Sequence, residues 1–383
     1  MKSIATILIL ITANAFAQHE HHQQPSPIAD FLMRQSSGTA INPAAAPMHM
    51  AMTEESGWML MLHGNAFVSG IVQTGPRGDD ALTSTNWIMG MASRRLGPGH
   101  LMLRTMLSLE PAIMGQRGYP LLFQTGETAH GVPLVDHQHP HDFFMELAAE
   151  YAVDLDDRTI VYFYGAPVGD PALGPVAYPH RASAAEIPQA PLSHHVQDST
   201  HIASSVVTIG ARRGAWDVAL SGFHGQEPDE NRWDIDQGTI DSWSVRAQWD
   251  ISPNLAAQLS TGHLENPESS EPGDVQRTTA SLSHSNGAWS SSIILGRNDK
   301  SHHADNSVLI ESSFRFNVSN YLTGRFEIAD KEEHVTALTL GYTKDVYRSA
   351  LFLGGVGGNV TFYDADGQRP RSYYAFARVR LGT

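Results

Sequence analysis

Long and short connections alternate along this chain, and few folds permit that. Sixteen strand-like segments lie at 58–72, 86–95, 101–110, 143–153, 158–166, 202–211, 215–223, 242–251, 255–264, 277–284, 288–296, 307–317, 321–329, 334–343, 349–360 and 372–382. Each runs to about ten residues, the length a tilted membrane-crossing strand needs. The gaps between them are 13, 5, 32, 4, 35, 3, 18, 3, 12, 3, 10, 3, 4, 5 and 11 residues. Outer-membrane barrels have short periplasmic turns and longer outer loops, which predicts this rhythm. One gap departs from it: 330–333 is short where a long loop is expected. The expectation is an all-β fold, a closed antiparallel transmembrane β-barrel of about 16 strands (range about 14–18), in a bacterial outer membrane.

Period-two patterning supports the strands. In 242–251, Trp243, Val245, Ala247, Trp249 and Ile251 share one face, and Ser242, Ser244, Arg246, Gln248 and Asp250 the other. In 143–153, Met145, Leu147, Ala149 and Tyr151 oppose Glu146 and Glu150. The last segment sends Tyr373, Ala375, Ala377, Val379 and Leu381 outward, and Tyr374, Arg378 and Arg380 inward. It ends Leu381-Gly382-Thr383, without the terminal Phe common in outer-membrane proteins. Arg297 is the one cation placed doubtfully on the lipid side. A soluble sandwich or propeller also has many short strands, but it does not predict the loop rhythm, and no internal repeat supports a propeller.

The start of the chain reads as an export signal. Lys2 precedes an apolar run from Ile4 to Ile11, and Ala15-Phe16-Ala17 forms a cleavage site. The domain expectation is a signal peptide at 1–17, a periplasmic or lumenal segment at 18–57 and the barrel at 58–383. The whole chain carries a net charge of −15; losing Lys2 makes this −15 − 1 = −16, which argues against nucleic acid as a partner. Cysteine is absent, and a closed barrel needs no disulfides because its hydrogen-bond ladder is complete.

The chemistry-bearing residues concentrate in two long outer loops, 111–142 and 167–201. The first contains Asp136-His137-Gln138-His139-Pro140-His141-Asp142. An extended backbone would put the three histidines on one side, a set that suits Zn, Cu or Ni, with Asp136 and Asp142 as ligands or partners. The second contains His180, then His194, His195, Asp198 and His201, where helical turns would group His195, Asp198 and His201. Polar loop residues making ordinary hydrogen bonds are the competing reading. A softer set precedes the barrel at Met48, His49 and Met50. Met59, Met61, Met89, Met91, Met102 and Met106 are expected to face the lumen. Thioether with imidazole favours Cu(I), whereas methionine as adaptable filler against an inserted segment is the plainer account. The sequence holds no H-E-x-x-H, no Gly-rich phosphate loop and no G-x-S-x-G, and an enzyme is not expected.

Several longer stretches carry a resemblance. They are Tyr119 to Glu127, His137 to Leu147, Tyr178 to Arg181, His195 to His201 and Gly222 to Asp229. Together they resemble an uncharacterised family of exported bacterial His-rich outer-membrane β-barrel proteins over most of residues 36–383. The resemblance implies a link, through gene neighbourhood, with copper and heavy-metal resistance. The positions it implies are His137, His139, His141, Asp142, His180, His195, Asp198 and His201.

The functional expectation is a porin-like channel for small solutes or ions, with the outer loops constricting the mouth. The alternative is a metal-binding protein handling Cu or Zn, and no cofactor is otherwise implied. Expected partners are outer-membrane lipid and small solutes or metal ions, and a homo-oligomer is compatible with a barrel of this size.

Overall fold

The computed structural model describes residues 27–198 and 203–382, so the expected signal peptide and His201 lie outside the described residues. Sixteen strands close into one antiparallel barrel. They are β1 (Trp58–Gln73), β2 (Asp80–Leu96), β3 (Gly99–Leu107), β4 (Phe144–Asp156), β5 (Thr159–Val168), β6 (Ser204–Arg213), β7 (Trp216–His224) and β8 (Ser242–Ser252). The circuit continues through β9 (Leu255–Leu264), β10 (Val275–Ser285), β11 (Trp289–Asp299), β12 (Ala304–Asn317), β13 (Asn320–Asp330), β14 (His334–Arg348), β15 (Phe352–Ala365) and β16 (Arg371–Leu381). β16 returns to β1, pairing from Ser372↔Gln73 to Leu381↔Gly64. All sixteen expected strands are present. The short connection after 330 is a tight turn at the outer rim, where Arg77 reaches Glu333 at 2.6 Å and Asp136 at 2.8 Å.

The wall alternates as lipid demands. On β7, Val218 and Leu220 are exposed while Asp217, Ala219 and Ser221 are buried. Exposed Trp216 stacks on Trp249 near the short-turn end, with ring centroids 5.0 Å apart. Trp289, Phe314, Phe316, Tyr342 and Phe352 continue that girdle. An apolar band edged with aromatic rings is the outer surface of a membrane barrel, and the protein belongs in a bacterial outer membrane. Arg297 does face outward, but close to the end of its strand, where Asp299 holds its guanidinium at 2.5–2.8 Å.

Two pieces of chain fill the lumen. The first is the N-terminal segment. Helix α1 (Pro27–Arg34) starts on Pro, whose fixed φ suits the first helical position. Ile28, Phe31 and Leu32 lie on one stripe and pack against Met61, Met89, Met91, Met102, Met106 and Tyr162. The inward methionines are thus core filler against an inserted helix. Arg34 at the helix end is paired with Asp250 at 2.7 Å, and Gln35 donates to Glu150 at 2.9 Å. The chain then leaves the lumen and forms strand Ala51–Glu55, which pairs with Trp58–Leu62, the part of β1 that β16 does not reach.

The second piece is the connection between β5 and β6. Its described residues, 169–198, are almost wholly buried. Wall side chains hold it around the circuit: Ser221 accepts from Ala172 N at 2.7 Å, Ser260 from Gly174 N at 2.8 Å, and Asn359 from Gln189 at 3.1 Å. The hairpin Tyr119–Ala129/Val132–Gln138 caps it from outside, burying Leu121, Leu122 and Phe123 against Tyr178, Ala184 and Leu192. The two lumenal pieces meet where Ala177 N donates to Ser37 at 3.0 Å and Asn42 to the His180 carbonyl at 3.2 Å.

The wall pattern predicts a position-dependent penalty. Leu220→Arg, mid-strand and facing lipid, should lower unfolding free energy in bilayers by about 2–4 kcal/mol. Denaturant titration of vesicle-refolded protein measures it. An unchanged midpoint would mean that Leu220 does not face hydrocarbon.

Candidate functional site

The outer loops converge on a buried cluster of imidazoles and carboxylates. The 119–138 hairpin brings Glu127 and, just beyond its end, His139. The lumenal loop brings His194 and His195 on a single helical turn, His194–Gln197. The β7–β8 connection brings Glu227 and Arg232, the β9–β10 connection Glu268, and the β13–β14 turn Lys331. His139, His194 and His195 are each under 5% exposed, and one ring nitrogen of each lies within 4.8 Å of the others.

Backbone carbonyls orient two of the rings. His139 Nδ1 lies 3.1 Å from the Pro140 carbonyl and His194 Nδ1 lies 2.7 Å from the Pro191 carbonyl. A carbonyl only accepts, so each Nδ1 carries a proton. His195 Nδ1 faces Glu227 Oε1 at 3.5 Å, and its Nε2 lies 3.3 Å from His139 Nε2. Glu127 Oε1 is 3.0 Å from His139 Nε2, while its other oxygen is bonded by Arg232. Lys331 stands 3.5 Å from Glu268.

Burial dominates the electrostatics. It pushes Glu127 above the usual carboxylate range despite Arg232, and it pushes Glu227 well up, helped by Glu268 and Glu127. It holds His194 down at about 3, so that ring is neutral. Asp142 rises to about 7 and Asp170 to about 8, burial again being the main cause.

The expected site residues separate into groups. His139, His194 and His195 come together. His141 instead puts Nδ1 2.9 Å from Glu110 and Nε2 3.0 Å from the Tyr178 hydroxyl; burial works against its charge, but Glu110 outweighs it and the pKa is raised. Asp142 accepts from Arg232 at 3.4 Å. His137 is half-buried, with Nδ1 3.2 Å from the Val135 carbonyl, outside the trio. The 137–139–141 alternation is broken because Asp136 has φ +59° and the strand stops at Gln138, before Pro140. Asp198 accepts from Arg181 at 3.5 Å. His180 lies deeper, 3.2 Å from Met106 Sδ, with its ring 4.5 Å from Trp87. Met48, His49 and Met50 lie on the opposite side of the molecule, leading into the strand at 51–55. Glu127, Glu227, Glu268, Arg232 and Lys331 were not expected here, although Glu127 and Glu227 lie inside the stretches that carried the resemblance.

No protein-family model matches the chain, and no curated protein does. Solved structures match in fold. The anion-selective porin from Comamonas acidovorans is 11% identical with a TM-score of 0.55, covering 84% of this chain and 99% of that one. Salmonella typhi OmpF in complex with daunomycin is 8% identical at 0.54, covering 86% and 99%. Pseudomonas putida OprB at high pH is 10% identical at 0.52, covering 85% and 94%. The likeness is that of an outer-membrane barrel, and none of these matches carries the copper-resistance link that the motifs implied.

The buried acids set a pH dependence. A carboxyl whose folded pKa exceeds its unfolded value binds more protons when folded, so its contribution to stability falls as pH rises between the two values. Asp142 and Asp170 both act this way up to about 7 and about 8. His141, also raised, weakens the fold in the same direction as it deprotonates. His194, held at about 3, favours the folded form with rising pH, but that gain is complete near pH 6.5. From pH 6.5 to 8.5 the loop at 169–198 should therefore loosen. Hydrogen exchange of that segment, corrected for intrinsic rates, should quicken, and Asp170→Asn should flatten the profile. Protection rising with pH over this window would contradict the assignment.

Proposed function

We propose that this barrel is a porin-like channel for small solutes or ions, shut at rest by its own β5–β6 loop. One observation carries the reading. Among the described residues the loop forms no strand, and it is held in a polar lumen by side-chain hydrogen bonds and ion pairs that water can replace. Arg181 reaches Glu311 at 2.6 Å, and Glu186 is gripped by Arg378 and by Arg380, the latter at 2.9 Å. These contacts act as latches.

Beneath the loop lies a vestibule of about 110 Å³, lined by His49, His63, Trp87, His180, Arg315 and Arg380. His49 is pushed down to about 3 by burial and by nearby arginines, Arg380 first among them. Arg181, Arg315 and Arg380 line this entrance against the single carboxylate of Glu186, and that surplus of positive charge favours anions. The reading involves no catalysis, and its partners are membrane lipid and small, preferentially anionic solutes. A homo-oligomer, read by crosslinking in native membranes, belongs to the same proposal.

Planar-bilayer recording tests it. Wild-type protein should open rarely. Breaking a buried ion pair by removing one partner costs about 3–5 kcal/mol. Glu186→Gln or Arg181→Met should therefore raise the open fraction at least ten-fold. Replacing 171–197 by a short Gly-Ser linker should leave a steady pore whose reversal potential in a KCl gradient reports chloride preference. A linker variant that shows the heat-dependent gel shift of a folded barrel but no conductance would refute the channel.

A further inference from the structure

We infer that His139, His194 and His195 form a binding site for one divalent transition ion of borderline softness, with Zn²⁺ as its simplest representative. The site stands on geometry and does not depend on whether the barrel conducts. Two nitrogens bound to one tetrahedral zinc, each at about 2.0–2.1 Å, lie about 3.3 Å apart. His139 Nε2 and His195 Nε2 are 3.3 Å apart. The His194 ring completes a trio whose ligand atoms lie within 4.8 Å of one another.

The surrounding bonds fit the same conclusion. A metal-bound imidazole turns its other N–H to a carbonyl or carboxylate, which fixes the tautomer. His139 and His194 turn Nδ1 to the carbonyls of Pro140 and Pro191, and His195 turns Nδ1 toward Glu227. Glu127 Oε1 lies 3.0 Å from His139 Nε2, beside the trio and not among the atoms that lie within 4.8 Å of one another, so the fourth position is left to a solvent molecule or a small anion. Three imidazoles suit Zn²⁺, Cu²⁺ or Ni²⁺, whereas Cu(I) prefers thioether or thiolate. The lumenal methionines lie elsewhere, packed on α1. The neighbouring trio of His195, Glu227 and Glu268 already has Lys331 beside it, so it serves as support for His195 and not as a second ion site.

The ligands come from two separate loops, so the ion would pin the outer hairpin to the lumenal loop. Chelator-stripped full-length protein in detergent, titrated with ZnCl₂ and followed by calorimetry and elemental analysis, provides the test. Wild type should bind one ion per chain. His194→Gln should weaken binding at least ten-fold, and Glu227→Gln, a positioning residue, about 10–100-fold. His137→Ala should bind as wild type does. Cu²⁺-loaded wild type should show nitrogen superhyperfine splitting by EPR, a readout that stands even where a variant fails to fold. No retained zinc on wild type, no nitrogen coupling, or equal loss in His137→Ala would each overturn the site.

Discussion

Buried arginine is the constraint around which the lumen is arranged. A guanidinium does not give up its proton, so each one removed from water must find acceptors. Arg104 on β3 donates to the Gly38 carbonyl at 2.7 Å and to Glu150 at 2.9 Å. Arg246 on β8 reaches Thr39 at 2.6 Å, and Arg277 on β10 donates to the carbonyls of His195 and Asp198. Arg325 on β13 donates to the Gln189 carbonyl at 2.9 Å, and Arg380 on β16 to that of Ala185 at 2.8 Å. Wall and plug therefore solve each other's problem. Irregular backbone inside the barrel has carbonyls that no ladder satisfies, and the strands have cations that no lipid tolerates. Hydrogen bonds to a charged group are worth about 1.5–3 kcal/mol each, enough to hold a loop yet individually replaceable by water.

The opposite wall works by different chemistry. Beside α1 the lining is thioether and aromatic, and the contacts are shape-tolerant packing. One lumen thus holds a greasy half gripping a helix and a charged half gripping a loop. The helix meets charge chiefly toward its end, where Asp250 joins Arg34 and Arg212 and the Arg212 guanidinium lies 5.4 Å from the Phe31 ring centroid. The loop has arginine partners on several strands. Loss of ion pairing would loosen the loop before the helix, while the Ala177–Ser37 and Asn42–His180 hydrogen bonds still couple the two lumenal pieces.

Much of this was legible in the sequence, for a physical reason. Lipid acts on every second residue of each strand, so its signature is local and repeats; Ser242 to Asp250 shows it without reference to any distant residue. β2 begins at Asp80 and not at 86, because Thr83, Ser84 and Thr85 hide a strand start among polar side chains. The loops carry no such repeating force. Arg277 finds the His195 carbonyl across 82 positions of chain, and no periodicity announces it. His139 separates from His137 because of backbone geometry at Asp136 and the strand's end at Gln138, which composition does not reveal. Glu127 and Glu227 were visible as members of longer stretches but not as neighbours, since proximity there depends on how three loops fold over one another.

The joint between the last strand and the first has a mechanical consequence. Alternation forbids strands to slide by one residue, since every side chain would change faces, but a slide by two preserves it. At the closure between β16 and β1 that gentler slip is blocked by an obstacle. Strand Ala51–Glu55 occupies the remainder of the edge, and the chain leading into it abuts the C-terminus so closely that a methyl group at Gly382 would come within 2.2 Å of Met50 N. The last strand has a doorstop. Barrel stagger, and with it diameter, is held at this point by a butt joint between the last strand and the residues that lead into the first.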